Sequence, residues 1–185
     1  YEATPNEECI NGSLLDVNQH FVVYAVKNGL IRVLHRHSAM RALLRGHQGQ
    51  TVTDVSFFLD GDVLGTVGSS SENGSSTLII CRVFEQSPDI KSEKLLELPS
   101  STTTQGKLSR LLWHHFNPNQ FWMVHAISTG QQIATLVETT RIQTTMHPDP
   151  EESHPVCHWH APDCVMDGAV QLATSDGSSL TDLAW

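Results

Sequence analysis

Asn28-Gly29 and Asn73-Gly74 each stand between two short runs of aliphatic and β-branched residues, and this arrangement constrains the chain most strongly. Asn-Gly tolerates the positive φ angles of a two-residue hairpin, so each pair of runs should fold back as antiparallel strands. The first pair is "HFVVYAVKNGLIRVLHR" (20–36), with "MRALLRG" (40–46) as a third strand. The second is "DVLGTVGS" and "TLIICRVF" on either side of "SSENGSS". The "NPNQ" turn between "LSRLLWHHF" and "FWMVHAIS" repeats the pattern, and "QQIATLVETTRI" continues it. Runs this short, broken by Gly, Asn, Pro and Ser, predict an all-β chain. Residues 85–107 shift to Ser, Thr, Glu and Lys around one short strand, "KLLEL" (94–98), with "SSTTTQGK" as a loop. "TTMHPDPEESHPVCHWHAPDC" is expected to be a long surface insertion.

The hairpins also echo one another. Thr53-Asp54-Val55-Ser56-Phe57 and Thr181-Asp182-Leu183-Ala184-Trp185 both read Thr-Asp, aliphatic, small, aromatic. Each follows a glycine-containing turn, Gly46-His47 in one case and Asp176-Gly177 in the other. Aligned on these echoes, first strands fall near 14, 52, 108 and 178. Four strands per unit, opened by Gly-His, is the pattern of a WD-repeat propeller blade. The expected fold is therefore a partial WD-repeat β-propeller, with blades over 13–46, 47–107 and 108–177 and the next beginning at 178–185. Its structural repeat residues are Gly46, His47, Thr53, Asp54, Thr181 and Asp182, with His47 hydrogen-bonding into the polar network of its blade. The repeat is degenerate, since Phe84-Glu85 replaces a terminal Trp-Asp and Asn73 replaces a turn Asp. Closing a propeller usually takes about six to eight blades. Alone, the chain should expose apolar surface and self-associate or dissolve poorly.

Composition narrows the function classes. With 39% hydrophobic residues, 185 residues can build a real core, and a formal charge of −9 argues against binding nucleic acid over the whole surface. Cysteines at 9, 81, 157 and 164 are too scattered for a disulfide scaffold, which suggests reduced thiols in cytosol or nucleus. No apolar run approaches the roughly 20 residues of a membrane span, and the start lacks the features of a signal peptide. The missing initiator Met and the apolar ending "SLTDLAW" suggest a piece of something longer. From Val17 to Thr53 there is no Asp or Glu, yet Lys27, Arg32, Arg36, Arg41 and Arg45 fall there. Arg32 and Arg36 share parity on a strand and should share a face, so Arg32, Arg36, Arg41 and Arg45 are candidate partner-binding residues. His154, Cys157, His158, His160 and Cys164 crowd one proline-rich stretch, but zinc sites usually draw ligands from two separated clusters, so no metal or cofactor is assigned. No P-loop, dinucleotide glycine pattern or nucleophile elbow occurs, and His114-His115 reads as a packing and turn feature. An enzyme is not expected.

Two segments carry a family likeness. "FVVYAVKNGLIRVLHRHSAMRALLRGHQGQTVTDVSFF" (21–58) resembles the amino-terminal WD-repeat region of the enhancer of mRNA decapping family, called Varicose in plants. "DGAVQLATSDGSSLTDLAW" (167–185) is similar to a second segment of that family, with Ala169 interrupting its Asp-Gly-Val-Gln core and Ser175 in place of His. The resemblance implies a non-catalytic scaffold in mRNA decapping and 5′-to-3′ decay. Its propeller would bind the decapping activator, in cytoplasmic mRNA-processing bodies, with self-association through regions outside this chain and RNA contact left open. The alternative is a phosphoinositide-binding propeller acting at membranes. That class carries a paired-arginine motif, whereas Ala42-Leu43-Leu44 separates Arg41 from Arg45 here.

Overall fold

The computed structural model describes residues 12–72, 74–100, 107–126, 132–139, 144–146, 155–157 and 170–172. Among them every element is a strand, and no helix is long and apolar enough to cross a membrane. The strands are β1 (Leu15–Val17), β2 (Phe21–Val26), β3 (Leu30–His35), β4 (Arg41–Leu44), β5 (Thr51–Phe57), β6 (Val63–Ser69) and β7 (Ser76–Gln86). They continue as β8 (Asp89–Ser100), β9 (Lys107–Trp113), β10 (Gln120–Ala126), β11 (Gln132–Glu138), β12 (Thr144–Met146), β13 (Pro155–Cys157) and β14 (Val170–Leu172). They form three sheets, ordered β1-β2-β3-β4, β12-β13-β8-β7-β6-β5 and β14-β11-β10-β9. Segments 52–84 and 108–140 thus supply strands to two different sheets, each begun as an antiparallel meander.

Local chemistry explains the first meander. Asn28 and Gly29 have φ of 62° and 70°, the pair of left-handed residues that a type I′ turn demands. A side chain at Gly29 would also collide with the carbonyl of His47, so the turn needs glycine twice over. Alternation then sorts the faces, since Ile31 and Val33 of β3 are buried opposite half-exposed Arg32 and Leu34.

The second sheet is the middle layer, buried on both sides. Toward the first sheet, Val52, Val55, Phe57, Leu64, Cys81 and Val83 pack with Phe21, Val23, Ile31 and Val33. Toward the third, Val67, Leu78, Ile80, Leu96 and Leu98 pack with Leu108, Leu111, Phe121, Met123 and Val137. A strand covered on both faces has no solvent side to keep polar, which is why "LIIC" is a continuous apolar run. Among the described residues no element covers the far face of the first sheet, and Leu15 is 55% and Val17 46% exposed.

Residues 85–100 hold more strand than the short run 94–98 expected from the sequence: β7 runs to Gln86, turns through a cis Ser87-Pro88 peptide and returns as the twelve-residue β8, while 101–106 of the expected loop lie outside the described residues. The polar residues of β8 are tolerated because Ile90, Leu96 and Leu98 are buried while Lys91, Ser92 and Glu93 point outward. The insertion expected after β11 contributes β12 and β13, and β13 pairs parallel to β8.

Candidate functional site

His47 lies in the connection between β4 and β5 and is 1% exposed. Its Nδ1 is 3.2 Å from Gln50 Oε1 and its Nε2 2.9 Å from Thr66 Oγ1. An amide oxygen only accepts, so Nδ1 carries the proton and Nε2 accepts from the threonine hydroxyl. Gln50 Nε2 in turn donates to Thr77 Oγ1 at 3.0 Å, which carries the network across to β7. Burial lowers the imidazole to about 4, against a smaller opposing effect of the Gln50 bond, so the ring is neutral at physiological pH. Space for it comes from Gly68, where any side chain would strike the ring and Gln50. Gly46, just before it, is exposed and approaches Ile79.

Asp54 plays a different part. It is 2% exposed, and its carboxylate accepts from Ser13 N at 2.7 Å and from Leu111 N at 2.8 Å. One side chain on the second sheet therefore binds the backbone leading into the first and that of the third. A β-bulge between Val52 and Asp54 makes this possible. It inserts Thr53, so Val52, Val55 and Phe57 all face the first sheet while Asp54 turns with Val67 toward the third. Burial pushes the carboxyl up to about 6, against the two backbone hydrogen bonds and Arg110, which favour the charged form.

Further contacts join the same strands. Asp16 Oδ2 accepts from Phe57 N at 2.7 Å, and Trp113 Nε1 donates to Ser56 O at 3.0 Å. Where β1, β5 and β9 meet, they border a cleft of about 290 Å³ lined by Asp16, Ser56, Arg110 and Trp113 among others. At its mouth Leu59, 58% exposed, adopts a φ of 52°, a conformation that costs a non-glycine residue about 1 kcal/mol. Sequence reasoning missed Ser13, Asp16 and Arg110. Their only signal was position, on or just before the first strand of a sheet.

The four arginines do not form one cluster. Arg32 and Arg41 stand on the far face of the first sheet, opposite Leu43 and Leu34 respectively. Arg36 lies beyond the end of β3, and its Nη1 donates to Asn18 O at 2.9 Å, which ties it to the β1–β2 turn. Arg45 is exposed at the other end of β4. Thr53 Oγ1 donates to Val67 O at 3.4 Å within its own sheet. Thr181, Asp182, Asn73 and most of "HPVCHWHAPDC" lie outside the described residues, among which no cluster of three metal-ligating side chains occurs. His114 Nδ1 accepts from Phe116 N at 3.2 Å, a local turn contact.

No protein-family profile matches the chain, and no solved structure does. Over 114 residues the chain is 32% identical to Enhancer of mRNA-decapping protein 4 of Danio rerio. The match covers 58% of this chain and 8% of that relative's length.

Proposed function

We propose that this chain is a non-catalytic docking platform in mRNA decapping and 5′-to-3′ decay. In this reading its three sheets are consecutive blades of a partial WD-repeat propeller, over 13–46, 47–107 and 108–177, and they hold the decapping activator. The observation that carries the reading is the 32% identity to a decapping enhancer. It is supported by meanders stacked face to face, with β1, β5 and β9 as neighbouring first strands. Separate sheets fixed side by side present their turns on a rigid frame, which suits recognition better than chemistry. Action in cytoplasmic mRNA-processing bodies follows from the same reading. Arg32, Arg36, Arg41 and Arg45 are proposed as contributors to partner contact, with Arg36 acting through the turn it ties down.

The test is retention. The tagged chain should co-precipitate the decapping activator from lysate and should not float with phosphoinositide vesicles. Strong phosphoinositide-dependent flotation without the activator would replace this reading with that of a membrane-acting propeller. Charge reversal of Arg32 and Arg36 together should weaken retention, and a folded double variant that binds normally would remove those residues from the interface.

A further inference from the structure

A second cleft, of about 300 Å³, lies between the first and second sheets, beside the connection that leads from β4 to His47. Leu44 and Ile31 line it from one sheet, and Ile79 and Cys81 from the other. Arg45 and Lys94 also line it, and among the described residues no carboxylate does. Lys94 is held by Glu97 at 3.2 Å, so the charge most available to a ligand is that of exposed Arg45. Ser92, exposed on β8, adds a hydroxyl. The neutral ring of His47 and exposed Gly46 also line it, and a Cβ at Gly46 would stand 2.6 Å from Ile79 Cδ1.

The chemistry of this place is unlike that of the molecule around it. The chain carries a formal charge of −9, so an acidic ligand is repelled by most of its surface. Here exposed Arg45 borders a mixed apolar and polar slot and belongs to a stretch, Val17 to Thr53, that contains no acidic residue. The volume is at the lower end of ligand pockets and suits one anchoring side chain with its backbone. Single-stranded RNA is a poorer fit, because its bases need aromatic platforms and, among the described residues, no Phe, Tyr or Trp lines the cleft.

We propose that this cleft is a docking slot for an acidic linear peptide with one aliphatic anchor. The anchor seats between Leu44 and Ile79, and a flanking carboxylate faces Arg45, with Lys94 kept by Glu97. The proposal deepens the docking-platform reading and rests on it, while the partner's identity in decapping is a separate matter.

The experiment uses the complete chain and a fluorescein-labelled Asp-Asp-Glu-Leu-Glu-Asp peptide, read by anisotropy. Saturable binding is expected, weakened about tenfold by Arg45→Glu and strengthened by Ser92→Arg, two substitutions at exposed positions. Replacing the peptide leucine by alanine should weaken binding about as much. Absence of binding, or affinity unchanged in folded Arg45→Glu, overturns the proposal. So does a leucine-independent interaction, which would be charge attraction alone. Tighter competition by oligouridylate or by phosphoinositide vesicles would assign the slot to another class of ligand. Peptide binding without co-precipitation of the activator would overturn only the decapping reading; co-precipitation by an unaltered chain that does not bind the peptide would overturn only the slot.

Discussion

His47 and Asp54 both open the second sheet, both are buried, and both are titratable, yet they are satisfied in opposite ways. The histidine is held by side chains, Gln50 and Thr66, from its own turn and its own sheet. The aspartate is held by backbone amides that belong to its two neighbours. The first arrangement shapes one sheet and the second joins three. A carboxylate suits the joining role because it accepts twice and backbone amides are donors fixed in direction. A neutral imidazole suits the shaping role because it donates once and accepts once, so it can sit in a chain of side-chain bonds.

The comparison can be broken most forcefully at Asp54. Asp54→Ala leaves the Ser13 and Leu111 amides without their acceptor and should cost about 4 kcal/mol, measured by denaturant unfolding. Amide exchange should accelerate at Ser13 and Leu111 together. Protection lost at only one of them would show that the residue joins two sheets and not three.

The next effect is in pH dependence. A histidine whose folded value falls to about 4 contributes stability that is complete above about 6.5 and is lost as pH falls toward 4. A carboxyl raised to about 6 contributes stability that is complete below about 4 and is lost as pH rises through 6. Each contribution is on the order of 3 kcal/mol, and they run in opposite directions over the same window. Stability of the unaltered chain should therefore change little between pH 4 and 6.5. Asp54→Asn should make it climb with pH, and His47→Gln should make it fall. Parallel profiles in the two variants would refute the opposition.

A smaller change sharpens the local side. Gly68→Ala pushes on the His47 ring and should cost about 2 kcal/mol. Its exchange effects should stay within β5, β6 and β7, unlike those of Asp54→Ala. The smallest effect is Arg36→Ala, which frees the β1–β2 turn from an exposed guanidinium contact. About 0.5 kcal/mol or less is expected, visible as faster exchange at Asn18 and His20 with little movement of the unfolding midpoint.

The hairpins were legible because their signals are local. Asn28-Gly29 needs no tertiary information to turn, and Ile31 and Val33 mark their buried face by alternation alone. The sequence reading expected His47, after Gly46, to hydrogen-bond within its blade, but Gln50 and Thr66 could not be named as its partners. What escaped the sequence depends on register. Plain alternation puts Val52 and Asp54 on the same face; the extra residue at Thr53 separates them, and only the paired strand β6 reveals it. The length of β8 was hidden for a related reason, since Lys91, Ser92 and Glu93 carry no apolar alternation and show themselves as strand only when β7 is seen beside them. The slot at Arg45 was invisible because Lys94 comes from a different sheet, far along the chain.

The parallel pairing of Val156 with Glu97 has a consequence for storage and handling. β8 would otherwise end its sheet with a long row of free amides and carbonyls, the template on which fibrils elongate. With β13 laid along it, that template is shortened. Substituting proline at Val156, which removes an amide from the cover, should raise the amount of thioflavin-positive material formed above that of the unaltered chain.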